Sequence, residues 1–518
     1  MRKCALFIAI VTMLYLPLSL LDYNHFPYSD GPEHGAAVRE LAKNFARPSD
    51  PMLAGQPGNS PRFVPSILVM ALTMRLTGLD VLTVLKLFLP LFFLFFLISS
   101  ALFAKDYFDD THQAPWTLAA FLVLWGTGWM GANAYMFSAI LYTAYFPSLV
   151  AFSLSLLALY FQLRFLKARN RTWFIIQLLL GSIAFVNHPP TGVFFFTCSG
   201  LLYIERRVAM RAAAGYFLAT EAAALFLAAL WPYNDFFPSL FTIASGAMAD
   251  TADYRLTRHY LFDKPLLRSG TALVGIPLML LFALQRRYFL LTRGFILFSC
   301  AYLLGFFFKI SLAERFIFFI ICMLQLAVSR SCRAWFPGLD SPSSSSLKTA
   351  AAWFLVMLLF AGTVIQGTLV YREFILPAVT VSSDHRSLSY ASPNRMQREL
   401  GIYLKEGDIV LSDLYTSWSV PVYTGAKIIA LYHSAPHVRD NSERIRAIET
   451  FFNDGTSSEA RKKILERYSV THILLNFQIA GKNIAPAIQE AGFEVIMQDD
   501  NFCLFSVISD SRRRAATG

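Results

Sequence analysis

The sequence predicts a polytopic α-helical membrane protein with about thirteen transmembrane helices and a soluble α/β domain at its C-terminal end. Three observations carry this. Hydrophobic residues make up 55% of the 518 residues and charged residues only 15%, against about 25% charged in an ordinary soluble chain. The apolar residues gather in runs of spanning length. Beyond residue 371 the long runs stop and charge returns at the density of a soluble domain. A mean hydropathy of +0.48 and 48 Phe exclude a disordered or collagen-like chain. The six Cys show no CxxC or Cys/His spacing, so neither a disulfide framework nor zinc is expected. The net charge, 45 − 34 = +11, is not accompanied by an interleaved basic and aromatic groove. It is read as topological, and no nucleic acid is expected.

A spanning helix needs about 20 apolar residues. That test gives runs at 4–21, 62–79, 81–104, 115–131, 132–146, 148–166, 172–187, 190–204, 211–231, 270–285, 294–309, 314–330 and 349–371. The run 132–146 also reads as a re-entrant or interfacial piece. Arg2-Lys3 precedes the first run, and no small-x-small cleavage pattern precedes Asp22, so the run is expected to be a retained anchor. Basic clusters follow the even-numbered spans: Arg164, Lys167, Arg169 and Arg171; Arg206, Arg207 and Arg211; Arg286, Arg287 and Arg293; Arg330, Arg333 and Lys348. The positive-inside rule puts these and the N-terminus in the cytoplasm. Loops 22–61, 105–114 and 232–269 then fall on the opposite side, with the tail, because thirteen is odd. A bacterial inner membrane with a periplasmic C-terminal domain fits this pattern. The expected division is 1–371 transmembrane and 372–518 soluble, with a flexible linker at 341–346. Within the tail, strand-like runs at 408–412, 427–431, 471–475 and 493–497 alternate with helical stretches at 394–405, 443–452, 457–468 and 483–491. This predicts a mainly parallel sheet, with an antiparallel edge near 500–507.

Four groups of residues carry possible chemistry. Asp30, Glu33 and His34 sit where the first loop meets a helix at 35–46. They read as a capping box, or as a general base, Asp30 with Glu33 or His34 one turn on, at the membrane surface. Asp106, Asp109 and Asp110 in the second loop read as a solvated loop, or as carboxylates for a divalent cation, Mg or Mn. His188, in the turn Asn187-His188-Pro189-Pro190-Thr191-Gly192, reads as an interfacial residue or as a hydrogen-bonding group for a phosphate or sugar hydroxyl. Arg258, His259 and Lys264 in the third loop, and Arg315 beside Lys309 and Glu314, read as snorkelling or locally paired charges, or as a site for a lipid phosphate.

In architecture the chain resembles the GT-C superfamily of membrane glycosyltransferases, which includes protein mannosyltransferases, oligosaccharyltransferases and the lipid A aminoarabinose transferase. Residue-level likeness is confined to the first loop, the turn at 187–192 and the tail. The tail matches are Val410-Leu411-Ser412-Asp413, Thr416-Ser417-Trp418-Ser419-Val420-Pro421, Thr424-Gly425 and a helix at 444–452. The resemblance implies transfer of a sugar from a polyprenyl-phosphate donor to a glycan or glycolipid acceptor on the outer face of the bilayer, with inversion. It implies Asp30 as the base and Arg258, Lys264 and Arg315 as phosphate contacts. It implies a metal at Asp106, Asp109 and Asp110 in some members and none in others. The paired Asp-Glu of the protein mannosyltransferases and a WWD motif in the tail are lacking, which counts against a protein acceptor. A transporter or flippase is a competing reading; Glu221 in the ninth span reads as part of a pathway or as a pairing group, but a single such residue does not favour transport, and the lack of an inverted repeat opposes it. A non-catalytic assembly factor for envelope polysaccharide is another.

Overall fold

The structure is a computed structural model. It describes residues 2–20, 27, 30–56, 58–127, 134–238, 261–310, 312–336, 346–376, 399–432, 438–479, 484–490 and 493–507. Among these, eight helices are long and apolar enough to cross a membrane: Arg2–Leu20, Val81–Phe108, Pro147–Ala168, Met210–Leu230, Pro265–Leu284, Phe289–Phe308, Ala313–Trp335 and Thr349–Ile375. Their exposed faces carry Leu, Ile and Phe, as a lipid-facing surface requires.

The first ten helices position the site. They are α1 (Arg2–Leu20), α2 (Gly31–Lys43), α3 (Pro65–Thr77), α4 (Val81–Phe108), α5 (Gln113–Val123), α6 (Phe137–Thr143), α7 (Pro147–Ala168), α8 (Arg171–Asn187), α9 (Pro189–Glu205) and α10 (Met210–Leu230). Asp80 starts α4 by accepting from the backbone N–H groups of Leu82 and Thr83 at 3.0 and 3.1 Å. The 28 residues of α4 reach about 42 Å, enough to cross a bilayer obliquely.

Three of the expected spans hold only short helices. The run 62–79 holds α3, whose 13 residues reach only about 20 Å. It ends at Gly78, which takes the left-handed conformation that stops a helix cheaply. The run 132–146 holds α6, of seven residues. The run 115–131 is also interrupted: α5 ends at Val123. There the backbone N–H groups of Gly126 and Thr127 donate to the carbonyls of Arg268 and Leu267, at 2.8 and 3.2 Å. A broken helix is tolerated at depth when its freed backbone groups are met in this way.

Losing the first of these crossings reverses the direction of α4. Its start lies against α2, with Leu85 beside Gly35, and its end lies beside Lys167. The loop 105–114 therefore sits at the same end as the basic clusters, which corrects its expected side.

The end of the chain is built on a five-stranded sheet, β1 (Ile409–Leu411), β2 (Lys427–Ile428), β3 (His472–Asn476), β4 (Glu494–Gln498) and β5 (Phe502–Ser506), in the order β2-β1-β3-β5-β4. β2, β1 and β3 are parallel; β5 is antiparallel to β3 and to β4. The sheet is mixed, and β4 rather than β5 forms the edge. The last strand is apolar enough to be buried beside β3, and the short turn keeps β4 outside it. The free side of β2 is covered from the first loop. Ile428 N donates to Met52 O at 2.8 Å, and Ala54 N donates to Ile428 O at 3.1 Å. Ala36, Met52 and Leu53 join the same buried cluster as Val410, Ile428 and Leu474. This core crosses the expected 371/372 boundary.

Candidate active site

Where the first loop and the α7–α9 turns meet, a cavity of about 220 Å³ is lined by Asp30, His34, Arg62, Ser148, Asn187, His188, Asn234 and Arg315 among others. Four residues singled out in the sequence, Asp30, His34, His188 and Arg315, converge here from three separate stretches of chain.

Asp30 occupies the N-cap of α2, but its carboxylate makes no capping hydrogen bond to the helix. It is held instead by Arg62, whose Nη1 lies 3.4 Å from Oδ2. The capping-box geometry is not used. Glu33, in the first turn, is 4% exposed, pairs with Arg62 and accepts from Trp418 Nε1 at 2.9 Å. It lies behind the cavity wall rather than in it. Burial pulls the Arg62 guanidinium towards the neutral form, and the charges of Glu33 and Asp30 outweigh it, so it is held more firmly protonated than usual. His34 faces the cavity one turn along α2, edge-on to Phe146 with ring centroids 5.0 Å apart.

His188 joins α8 to α9. Prolines follow it at the first two positions of α9, and the residue before a proline is driven out of the helical region. Its φ of −157° and ψ of 99° are extended accordingly. Asn187 anchors the turn by accepting from Ser66 N at 2.9 Å and donating to Pro147 O at 2.6 Å. His188 Nδ1 and Thr191 Oγ1 lie 2.8 Å apart. Burial, then the charges of Arg315, His34 and Arg62, hold the His188 ring well below its ordinary titration range. It faces the cavity as a neutral imidazole.

Arg315 ends the short 3-10 turn Ala313–Arg315. Its Nε is buried with no hydrogen-bond partner among the described residues. The two guanidinium groups thus differ. Arg62 is matched by two carboxylates, and Arg315 is left to attract an anion. A second cavity, of about 20 Å³, shares Ser148, His188 and Arg315 and continues between Tyr135, Leu149, Phe152, Phe318 and Phe319. The charged chamber therefore has an apolar extension into the bundle.

The other expected contacts lie elsewhere. Lys264 is exposed and does not line the cavity. Arg258 and His259 lie outside the described residues. Asp109 pairs with Lys167 at 2.9 Å, Asp110 with Arg333 at 3.0 Å and Arg330 at 3.5 Å, and Asp106 with Arg164 at 3.7 Å. From Leu85, beside α2, to Asp109 is 24 residues of α4, about 36 Å. These carboxylates serve the basic clusters and do not fit a metal site facing Asp30. Among the described residues no group of three His, Cys, Asp or Glu side chains is placed to hold a metal ion. Arg62 was not singled out in the sequence. The available signal was a cation at the head of an apolar run, on the side that the positive-inside rule leaves poor in cations.

No family model and no curated protein matches the sequence. Solved structures do match in three dimensions. ArnT from Cupriavidus metallidurans, in the apo state, aligns over 98% of each chain with a TM-score of 0.57 and 14% identity. The oligosaccharyltransferase AglB from Archaeoglobus fulgidus, in complex with an inhibitory peptide and a dolichol-phosphate, aligns over 98% of this chain and 74% of its own, with a TM-score of 0.51 and 12% identity. The arabinofuranosyltransferase AftD from Mycobacteria aligns over 97% of this chain and 41% of its own, with a TM-score of 0.56 and 14% identity. All three are GT-C membrane glycosyltransferases. This chain accordingly shares the fold of these membrane glycosyltransferases.

Proposed function

We propose that the protein transfers a sugar from a polyprenyl-phosphate donor to a glycan or glycolipid acceptor, at the exoplasmic face of the membrane. The observation that supports this best is the cavity in which the Asp30 carboxylate and the Arg315 guanidinium are presented together, in a fold shared with membrane glycosyltransferases. The dolichol-phosphate bound to AglB points to the same class of lipid carrier. The basic clusters around Asp109 and Asp110 mark the cytoplasmic end by the positive-inside rule, so the cavity and the sheet face outward. A bacterial inner membrane, with the tail in the periplasm, is the setting we propose.

In this mechanism Asp30 takes the proton of the acceptor hydroxyl. The oxygen attacks the anomeric carbon, the bond from that carbon to the phosphate oxygen breaks, and configuration inverts. Polyprenyl phosphate leaves as an anion and needs charge stabilisation rather than protonation. Arg315 supplies the charge and neutral His188 a hydrogen bond. No step is assigned to a metal, because Asp109 and Asp110 do not face this chamber. The test is Asp30→Asn in purified protein, supplied with labelled polyprenyl-phosphate sugar. We expect turnover to fall at least about 100-fold, the usual scale for loss of a general base, with folding and donor binding kept. Equal turnover by the variant removes Asp30 from the mechanism.

A further inference from the structure

We infer that Trp418, on the C-terminal part of the chain, is a positioning residue for the Asp30 carboxylate, acting through Glu33 and Arg62. The inference rests on the proposal that Asp30 is the base. Its geometry is a relay of three contacts. The indole Nε1 of Trp418 donates to Glu33 Oε1 at 2.9 Å. Glu33 Oε2 pairs with Arg62 Nη2. Arg62 Nη1 reaches Asp30 Oδ2 at 3.4 Å. The contacts join residues 385 and 32 positions apart in sequence across the relay's two ends.

Each link has a physical consequence. Glu33 is almost completely buried, so an oxygen left without a donor is costly, and the indole fixes which oxygen faces Arg62. Arg62 then divides its two terminal nitrogens between two carboxylates. With Glu33 misplaced, a planar guanidinium is free to take both oxygens of one carboxylate, the stronger arrangement. The partner left in the cavity is Asp30. Bound at both oxygens, Asp30 has no lone pair aimed at an acceptor hydroxyl. Glu33 thus holds Arg62 partly away from the base, and Trp418 holds Glu33.

Trp418 is itself fixed by the tail. It follows the turn Leu414–Ser417, capped by Asp413, and stacks on Tyr432 with centroids 5.2 Å apart. It also packs against the core cluster that the sheet shares with Ala36, Met52 and Leu53. The base is therefore aligned only while the tail is docked on α2.

The test compares Trp418→Phe, which keeps an aromatic ring against Tyr432 and loses the N–H, with Glu33→Gln and the double variant. We expect each single change to lower kcat about tenfold with the donor KM unchanged, in folded protein assayed well below its own melting temperature. The double variant should lose no more than either single one, because both break one relay. Wild-type kcat in Trp418→Phe overturns the inference, as does a loss expressed in donor KM, or losses that multiply. Should Trp418→Phe fail to fold, Glu33→Gln decides alone, and wild-type kcat in it overturns the relay. Inactive Asp30→Asn beside fully active Trp418→Phe removes only the relay. Absence of turnover in the unaltered protein overturns the reading of the site and the relay with it.

Discussion

The two arginines of the cavity have opposite assignments because their neighbours differ. Arg62 lies between Asp30 and Glu33 and carries little net charge into the chamber. Arg315 has a buried Nε without a partner among the described residues, so its charge is available to a phosphate. Charge-assisted hydrogen bonds contribute about 1.5–3 kcal/mol each. Arg315→Gln should therefore weaken the donor about 10- to 100-fold, read as donor KM or as binding of the lipid phosphate alone. Arg315→Lys should recover part of the loss, since a point charge remains without the planar fork. Unchanged donor affinity in Arg315→Gln would separate this residue from the phosphate. Gly31 matters for a different reason: a Cβ there would run into the hydroxyl of Tyr145, displacing the backbone next to Asp30.

Among the elements, α2 is the hinge piece, with the cavity on one side and the tail on the other. Gly35 lets it approach Val422 and Leu85 closely, and a side chain there would collide with Val422. Arg39 Nη2 donates to Val422 O at 2.9 Å, and Glu40 pairs with Lys427 at 2.9 Å. Burial alone would raise the Glu40 carboxyl, but the charge and hydrogen bond of Lys427, with two bonds from Ser49, outweigh it and the net shift is downward. A carboxyl lowered in the folded state stabilises fully above its unfolded value, about 4.3, and loses that contribution as pH falls through its folded value. Melting temperature in detergent should be level from pH 7 to about 5.5 on this account and fall below about pH 4.3. Lys427→Met should cost about 3 kcal/mol at pH 7 by stranding a buried carboxylate. It should also flatten the acid fall; an unchanged fall would assign it to other groups.

At the scale of the molecule, the tail and the first loop fold as one body. The β2 edge is paired by Met52 and Ala54, and Ala36, Met52 and Leu53 complete its core. A fragment of residues 372–518 should therefore expose an unpaired edge and an apolar patch, and self-associate in size-exclusion chromatography; a monodisperse, stable monomer would contradict this. The strands at 408–412, 427–431, 471–475 and 493–497 were legible because period and composition are local properties. So were the long spans, since apolar length alone decides whether a helix can cross. Asp30, His34, His188 and Arg315 were legible singly, as charged or polar groups at helix ends near a membrane surface. What the sequence determined by itself is the class of molecule, because it follows from apolar runs and charges read along the chain. The run 62–79 holds only the short α3, and Asp106, Asp109 and Asp110 lie beside the basic clusters, at the opposite end of α4 from α2. Only the tertiary structure decided that Arg62 stands between Asp30 and Glu33, that Trp418 reaches Glu33, and that Arg315 faces them across one cavity. Arg62 lies 32 residues from Asp30 and Trp418 lies 385 from Glu33, and no periodicity or spacing along a chain encodes which distant groups will meet.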